Sequence, residues 1–125
     1  MRYKKGDIVI IGFPFSDLSK AKKRPALIIS NDTVNKTGDY LMVQVTSKVR
    51  NDNLSLSINK TDFINSKKLP LQSCIRLHKI FLLNESLIIS KNTAVVSGYL
   101  DLVIEKITKL LKSRLKTARP SSKNL

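Results

Sequence analysis

Short apolar runs separated by turn signals fill the chain from Ile8 to Ile89, and a single long helical period follows them. That order restricts the fold more than any other feature. Ile8-Val9-Ile10-Ile11 follows the turn signal Gly6-Asp7, and its unbroken apolarity predicts a strand buried on both faces. Gly12 to Asp17 is predicted to end that strand, because Pro14 cannot donate to a ladder and Asp17 favours a turn. A loop carrying the basic cluster leads into a second strand, Ala26 to Ser30, closed by Asn31-Asp32. Tyr40 to Ser47 reads as a third strand with Val43 and Val45 on one face. Leu54, Leu56 and Ile58 alternate with polar residues, the period of two expected of a half-exposed strand. Thr61 to Asn65 reads as a short helical turn capped by Thr61. In Ser73 to Leu77 the residues Ser73, Ile75 and Leu77 face one way, and Cys74 and Arg76 the other. Phe81-Leu82-Leu83 and Leu87-Ile88-Ile89 are short apolar runs split by Asn84-Glu85-Ser86.

From Tyr99 to Lys116 the apolar residues Leu100, Val103, Ile104, Ile107, Leu111 and Leu115 recur at helical spacing. Ser97 is the expected N-cap, Asp101 suits the positive end of the helix dipole, and Lys112, Arg114 and Lys116 suit its negative end. Strands followed by one helix argue an α+β fold rather than a parallel βαβ fold. A small, strongly curved antiparallel sheet or barrel carrying a C-terminal amphipathic helix fits best. Residues 1–116 are expected to form one domain, and residues 117–125 a flexible basic tail.

Lys and Arg total 23 against 9 Asp and Glu, a formal charge of +14. Such an excess on a small domain favours a polyanionic partner, most often nucleic acid. Cys74 is the single cysteine, so no disulfide forms within the chain, which fits a reducing cytoplasm. No apolar run approaches the roughly 20 residues of a membrane helix, and no membrane partner is expected. Within the excess, Lys20, Lys22, Lys23 and Arg24 run directly into Pro25 and the apolar Ala26-Leu27-Ile28-Ile29. A cation anchored at the mouth of a rigid strand has a fixed position, so its charge can be aimed at a phosphate.

Three blocks together resemble the MazF/PemK-like toxins of toxin–antitoxin systems, nearer the PemK branch. They are GDIVIIGFPFSDLSKAKKRPALIIS (Gly6 to Ser30), LMVQVTSKV (Leu41 to Val49) and LPLQSCIRLHKIFLLNESLI (Leu69 to Ile88), and Gly98-Tyr99-Leu100 also suits the pattern. The resemblance covers Lys5 to Leu115. It implies an SH3-like barrel of the MazF/CcdB-like kind. It implies a metal-independent, sequence-selective endoribonuclease that cuts single-stranded RNA, works as a homodimer, uses no cofactor and is neutralised by an antitoxin. The active-site arginine of the family falls on Arg24 and its threonine or serine on Thr46; the S-x-x-R strand used around RNA falls on Ser73 and Arg76. The loop before Arg24 lacks the glycine-rich stretch of the MazF branch.

Cutting RNA without a metal needs a proton acceptor, a donor to the leaving oxygen and stabilisation of charge on the phosphate. His78 is the only histidine, which excludes a two-imidazole mechanism within one subunit. The nine acids are scattered, and no His/Cys/Asp cluster has ligand spacing for a metal. Arginine remains. On this reading Arg24 binds the scissile phosphate, Thr46 donates a hydrogen bond to it, and Ser47 assists. The proton acceptor stays open, with His78 as a candidate and Arg24 awkward because its pKa exceeds about 12. Lys22, Lys23, Lys48, Arg50 and Lys79 are expected to guide the RNA backbone. Core packing is the expected role of Phe13 and Phe15. The antitoxin is expected to be acidic, with a segment that folds on binding across the basic groove. Two alternatives remain: a non-catalytic CcdB-like toxin that binds DNA gyrase, and a nucleic-acid-binding module without catalysis.

Overall fold

The structure is a computed structural model that describes residues 2–13 and 22–112. Six strands form one antiparallel sheet: β1 Asp7–Phe13, β2 Lys22–Ile28, β3 Asp39–Thr46, β4 Ser55–Ile58, β5 Ser73–Asn84 and β6 Ile88–Ala94. Their order across the sheet is β4-β5-β3-β2-β1-β6. A four-residue helix, α1 (Asp32–Asn35), joins β2 to β3, and the long helix α2 (Ser97–Leu111) follows β6. The α+β class and the C-terminal helix are as the sequence predicts.

The sheet curls without closing, so the barrel is open between β4 and β6. The chain leaving β4 meets the chain leaving β6 through one isolated bridge, Phe63 to Val95. Val96 N–H donates to the Asp62 carbonyl at 2.8 Å, and the Thr93 hydroxyl donates to the Lys67 carbonyl at 2.6 Å. These stitches hold the two edges where a full ladder would otherwise be needed.

Both faces of the central strands are buried, as the unbroken apolarity of Ile8–Ile11 requires. On the inner face Ile8, Leu27, Val43, Val45 and Ile75 pack with Tyr99, Leu100, Val103 and Ile107 of α2. On the outer face Val9, Ile11, Ala26, Ile28, Tyr40 and Met42 form a second cluster, covered by Tyr3, Leu83 and Ile88. Tyr99 pins α2 to β4 by donating its hydroxyl to the Ser57 carbonyl at 3.0 Å. Gly6 turns the chain into β1 at φ +96°, a conformation that favours glycine, where a Cβ would lie 3.4 Å from Leu100.

Several boundaries differ from the sequence reading. β1 continues through Gly12 and Phe13, which pair with Lys23 and Lys22. The end of the basic cluster is therefore strand, not loop. Pro25 lies inside β2, yet pairing of β2 with β3 begins at Ala26, so the proline sits where that side of β2 is an edge. The turn at Lys60–Asp62 is capped by Asn59, whose N–H donates to the Asp62 carboxylate at 2.7 Å, and not by Thr61. Ser97 is the first residue of α2 and Val96 its cap; Asp101 falls beyond the first turn. Leu111, counted in the apolar stripe, is the last residue of α2 and is 73% exposed. Pro14, Phe15, Asp17, Lys20, Arg114, Leu115, Lys116, the Phe13 side chain and the tail 117–125 lie outside the described residues. Among those described, no helix is long and apolar enough to cross a membrane.

Three shifts break the register, one between β3 and β5 and two between β1 and β6. Val43 pairs with Ile80 but Gln44 pairs with Arg76, which leaves Leu77, His78 and Lys79 without partners in β3. The apolar faces show the consequence. Ile75 and Leu77 point to the inner cluster before the break, whereas after it Ile80 points inward and Phe81 and Leu83 outward. This unites Ser73–Leu77 and Phe81–Leu83 in one strand, while Asn84-Glu85-Ser86 does divide β5 from β6 as the sequence reading has it. On the other edge Ile8 pairs with Thr93 and Val9 with Lys91, which leaves Asn92 unpaired.

Within α2, Ile107 is buried and Leu111, one turn on, is exposed. Ile107→Ala is therefore expected to lower stability by about 2–5 kcal/mol, and Leu111→Ala by less than about 0.5 kcal/mol. Equilibrium urea unfolding measures both; equal losses would place the helix differently.

Candidate active site

The register that builds the sheet also gathers the functional side chains. Ala26 pairs with Gln44 as the last pair of that ladder, and Arg24 and Thr46, each two residues beyond it, line the same hollow. Gln44 and Thr46 pair in turn with Arg76 and Cys74 of β5. Side chains two apart share a face, so Arg24, Gln44, Thr46 and Arg76 stand together at one end of the outer face. There they line a hollow of about 440 Å³ together with Lys48, Arg50, His78 and Lys79. Five of those eight residues are Lys or Arg. The β5 bulge supplies His78 and Lys79, which a regular strand would distribute to opposite faces.

The two arginines differ in commitment. Arg76 is 7% exposed, and its Nη1 donates to both carboxylate oxygens of Asp52 at 3.0 Å and to the Ser55 hydroxyl at 2.6 Å. Asp52 thus neutralises and fixes Arg76 as a wall of the hollow. The Arg24 side chain makes no hydrogen bond or ion pair among the described residues, and the residue is half-buried. Its guanidinium extends from a fixed strand position with no acidic partner among the described residues, which suits it to an incoming anion. The Thr46 oxygen accepts from the Lys48 N–H at 3.1 Å, which fixes the hydroxyl's position and leaves its proton for a ligand.

His78 is exposed in this hollow. Partial loss of hydration and the neighbouring Arg76 and Lys79 cations push its pKa below the ordinary 6.5, against an opposing pull from Asp52. A lowered pKa keeps the imidazole neutral near pH 7, the form able to accept a proton. Asp52 is held below its ordinary 3.8, first by its hydrogen bond from Arg76.

A second hollow of about 330 Å³ opens at the barrel mouth and shares Arg24 and Thr46 with the first. Lys23, Ser47 and Ser73 line this one. Arg24, Thr46, Lys48, Arg50, Arg76 and Lys79 thus gather in the first hollow, whereas Ser73 is separated from Arg76 and donates its hydroxyl to the Leu71 carbonyl at 2.9 Å. Lys22 is exposed at the start of β2 and lines neither hollow. Sequence reasoning missed Gln44, Asp52 and Ser55. Gln44 was legible in principle, as the polar residue two before Thr46 on the same face; the Asp52 contact depends on a pairing remote in sequence. Among the described residues no group of His, Cys, Asp and Glu could hold a metal.

Residues 4–111 match the family of PemK-like, MazF-like toxins of type II toxin-antitoxin systems. The fold is similar to that of an endoribonuclease from a Mycobacterial species in complex with its cognate antitoxin, at 17% identity over 87% of this chain and 94% of that one, with a TM-score of 0.70. MazF from Deinococcus radiodurans is similar at 20% identity, 87% and 96% coverage and a TM-score of 0.69. The MazE–MazF structure from the same organism is similar at 19% identity, 87% and 94% coverage and a TM-score of 0.67. No sequence relative was found among curated proteins.

The imidazole of His78 is expected to titrate below 6.5 by NMR, and Lys79→Gln, which removes a repelling cation, to move the midpoint upward. A midpoint at or above 6.5 in the unaltered protein would contradict the electrostatics described.

Proposed function

The chain belongs to the PemK-like, MazF-like toxins of type II toxin-antitoxin systems, and from that premise we propose that it is an endoribonuclease that cuts single-stranded RNA sequence-selectively, without a metal, by attack of a 2′-hydroxyl on the adjacent phosphorus. One observation carries the reading: the uncommitted Arg24 guanidinium and the Thr46 hydroxyl share a cationic hollow of phosphate-accepting size. The CcdB-like and purely binding alternatives have no comparable support, since the similar structures are endoribonucleases and MazF proteins.

In this mechanism the RNA backbone enters the hollow under the pull of Lys48, Arg50 and Lys79. Arg24 and Thr46 hold the non-bridging oxygens of the scissile phosphate. The neutral His78 imidazole takes the proton of the 2′-hydroxyl. The 2′-oxygen bonds to phosphorus, the bond to the 5′-oxygen breaks, and that oxygen leaves with a proton from solvent. The products are a 2′,3′-cyclic phosphate and a 5′-hydroxyl. Arg24 and Thr46 act where negative charge accumulates in the transition state, the interaction that accelerates rather than merely binds. Arg76, fixed by Asp52, sets the potential of the hollow and helps keep His78 neutral.

The protein acts in the cytoplasm as a homodimer, in keeping with the family. Its antitoxin is acidic and blocks the site by laying a carboxylate-bearing segment where the phosphate binds. The excess of cations supports that pairing.

Cleavage is expected to persist in EDTA and to leave cyclic phosphate ends. Arg24→Ala should slow it by about 10²–10³-fold or more, the cost of one aimed donor in an oxyanion site. The circular dichroism should be unchanged, because no described contact depends on that side chain. Wild-type rates in that variant would end the assignment.

The rate should also fall as pH drops through the lowered pKa of His78, since protonation removes the acceptor. With His78 ringed by Arg24, Lys48, Arg50, Arg76 and Lys79 and opposed by Asp52, that fall should come below pH 6.5. His78→Gln should be slow and lack this limb. An unchanged pH–rate profile in that variant would remove His78 from the mechanism.

A further inference from the structure

We propose that the barrel-mouth hollow is a nucleobase slot, holding the base of a nucleotide next to the scissile phosphate, with Asn92 reading its edge. The inference rests on the ribonuclease reading above. It starts from the β6 bulge at Asn92. Lys91 and Thr93 are both committed: the Lys91 ammonium lies 3.3 Å from Asp7, and the Thr93 hydroxyl donates to Lys67. Asn92 between them has no partner in β1 and makes no side-chain hydrogen bond among the described residues. It lines the barrel-mouth hollow. A bulge re-aims a side chain, and here it leaves an amide with free donor and acceptor groups on the wall between that space and a neighbouring hollow bordered by Ile64, Asn65 and Lys67.

The walls are of the other kind. Pro25, Leu69, Pro70 and Leu71 line the same hollow, and Leu71 is 66% exposed. An exposed Leu beside an exposed Pro, at the rim of a polar site on a strongly basic protein, offers a flat apolar surface to a stacked ring. The volume, about 330 Å³, exceeds that of one base. Apolar walls with a few convergent polar groups, at the mouth of a barrel, are the usual composition of a small-molecule site. The Ser73 hydroxyl proton is committed to the Leu71 carbonyl, so its oxygen can only accept.

Continuity fixes the occupant. Arg24 and Thr46 line both hollows, so a phosphate held by them has the cationic hollow on one side and the apolar slot on the other. A nucleotide carries both features, a charged backbone and a flat ring, joined through one ribose that can span the shared rim. Single-stranded RNA is read when unstacked bases are splayed onto protein surfaces and bonded along their edges. The cationic hollow therefore supplies affinity without choice, and the slot supplies choice.

The test uses the full-length protein and a short RNA whose cut position has been mapped. Its 2′-O-methylated copies lack the nucleophile and are bound without being cut. Each copy carries an abasic site at one position in turn. One position adjoining the cut should weaken wild-type binding by about 5- to 150-fold, the range for loss of one stacked base. Asn92→Ala should bind with less dependence on which base stands there, and Leu71→Ala, at an exposed position, should weaken binding of the intact oligonucleotide but hardly that of the abasic one. Equal binding of all abasic copies would overturn the proposal. So would wild-type binding by both variants, or an effect of either on oligomeric state alone, which would assign the surface to a second copy of the chain. Cutting of the unmodified RNA by the wild type tests the ribonuclease reading separately: cutting with a flat abasic series sinks only the slot, whereas no cutting sinks the reading on which it rests.

Discussion

The register between β2, β3 and β5 is the constraint on which everything else depends. It is fixed by burial: Ile8, Leu27 and Val43 must face the helix, and Ala26, Ile28 and Met42 must face the outer cluster. Slipping any one strand by a residue would turn both sets to the wrong side. Once the apolar residues are so placed, Gln44 stands level with Arg76, and Arg24 and Thr46 follow two residues past the last β2–β3 pair on the same face. The core therefore positions the charges, and no separate device is needed to assemble the site.

Two irregularities then refine what the register provides. The β5 bulge delivers His78 and Lys79 to the hollow, and the β6 bulge leaves Asn92 on the wall of the barrel-mouth hollow. Pro25 is a third. It sits where β2 lacks β3 as a neighbour, and it leaves the rim beside Arg24 open on that side. Regular pairing would have closed the space that a substrate needs. The ladder is complete where the core requires it and broken where the chemistry does.

Electrostatics divides the cations by role. Arg76 is compensated by Asp52, whereas the Arg24 side chain has no acidic partner among the described residues, and in the proposed mechanism it acts through its charge. Five Lys or Arg side chains around one hollow, only Arg76 paired with an acid among the described residues, favour an anionic occupant. The same reasoning explains why an acidic antitoxin segment would suit the site as well as RNA does.

Alternation and helical period made the strands and α2 legible in the sequence, because burial imposes those periods directly. Arg24 and Thr46 were legible through the family resemblance, and Lys48, Arg50, Arg76 and Lys79 do gather beside them. The bulges were not, because an extra residue such as His78 or Asn92 looks like any other polar strand residue until its partner strand is known. The commitment of Arg76 to Asp52 was hidden for the same reason, since the pair is joined only through the folded sheet. Ser73 entered with the family resemblance, and alternation along β5 sets it on the face opposite Arg76; Lys22 shares the face of Arg24 but lies one step beyond the cationic hollow.

The most direct measurement is the NMR response of the arginine side-chain Nε–Hε resonances to an RNA oligonucleotide with a 2′-deoxy residue at the cleavage position. If the scissile phosphate is held as described, the Arg24 signal shifts strongly and slows its exchange with solvent, while Arg76, already satisfied by Asp52, changes little. An Arg24 signal that stays in place while the RNA binds would contradict the account.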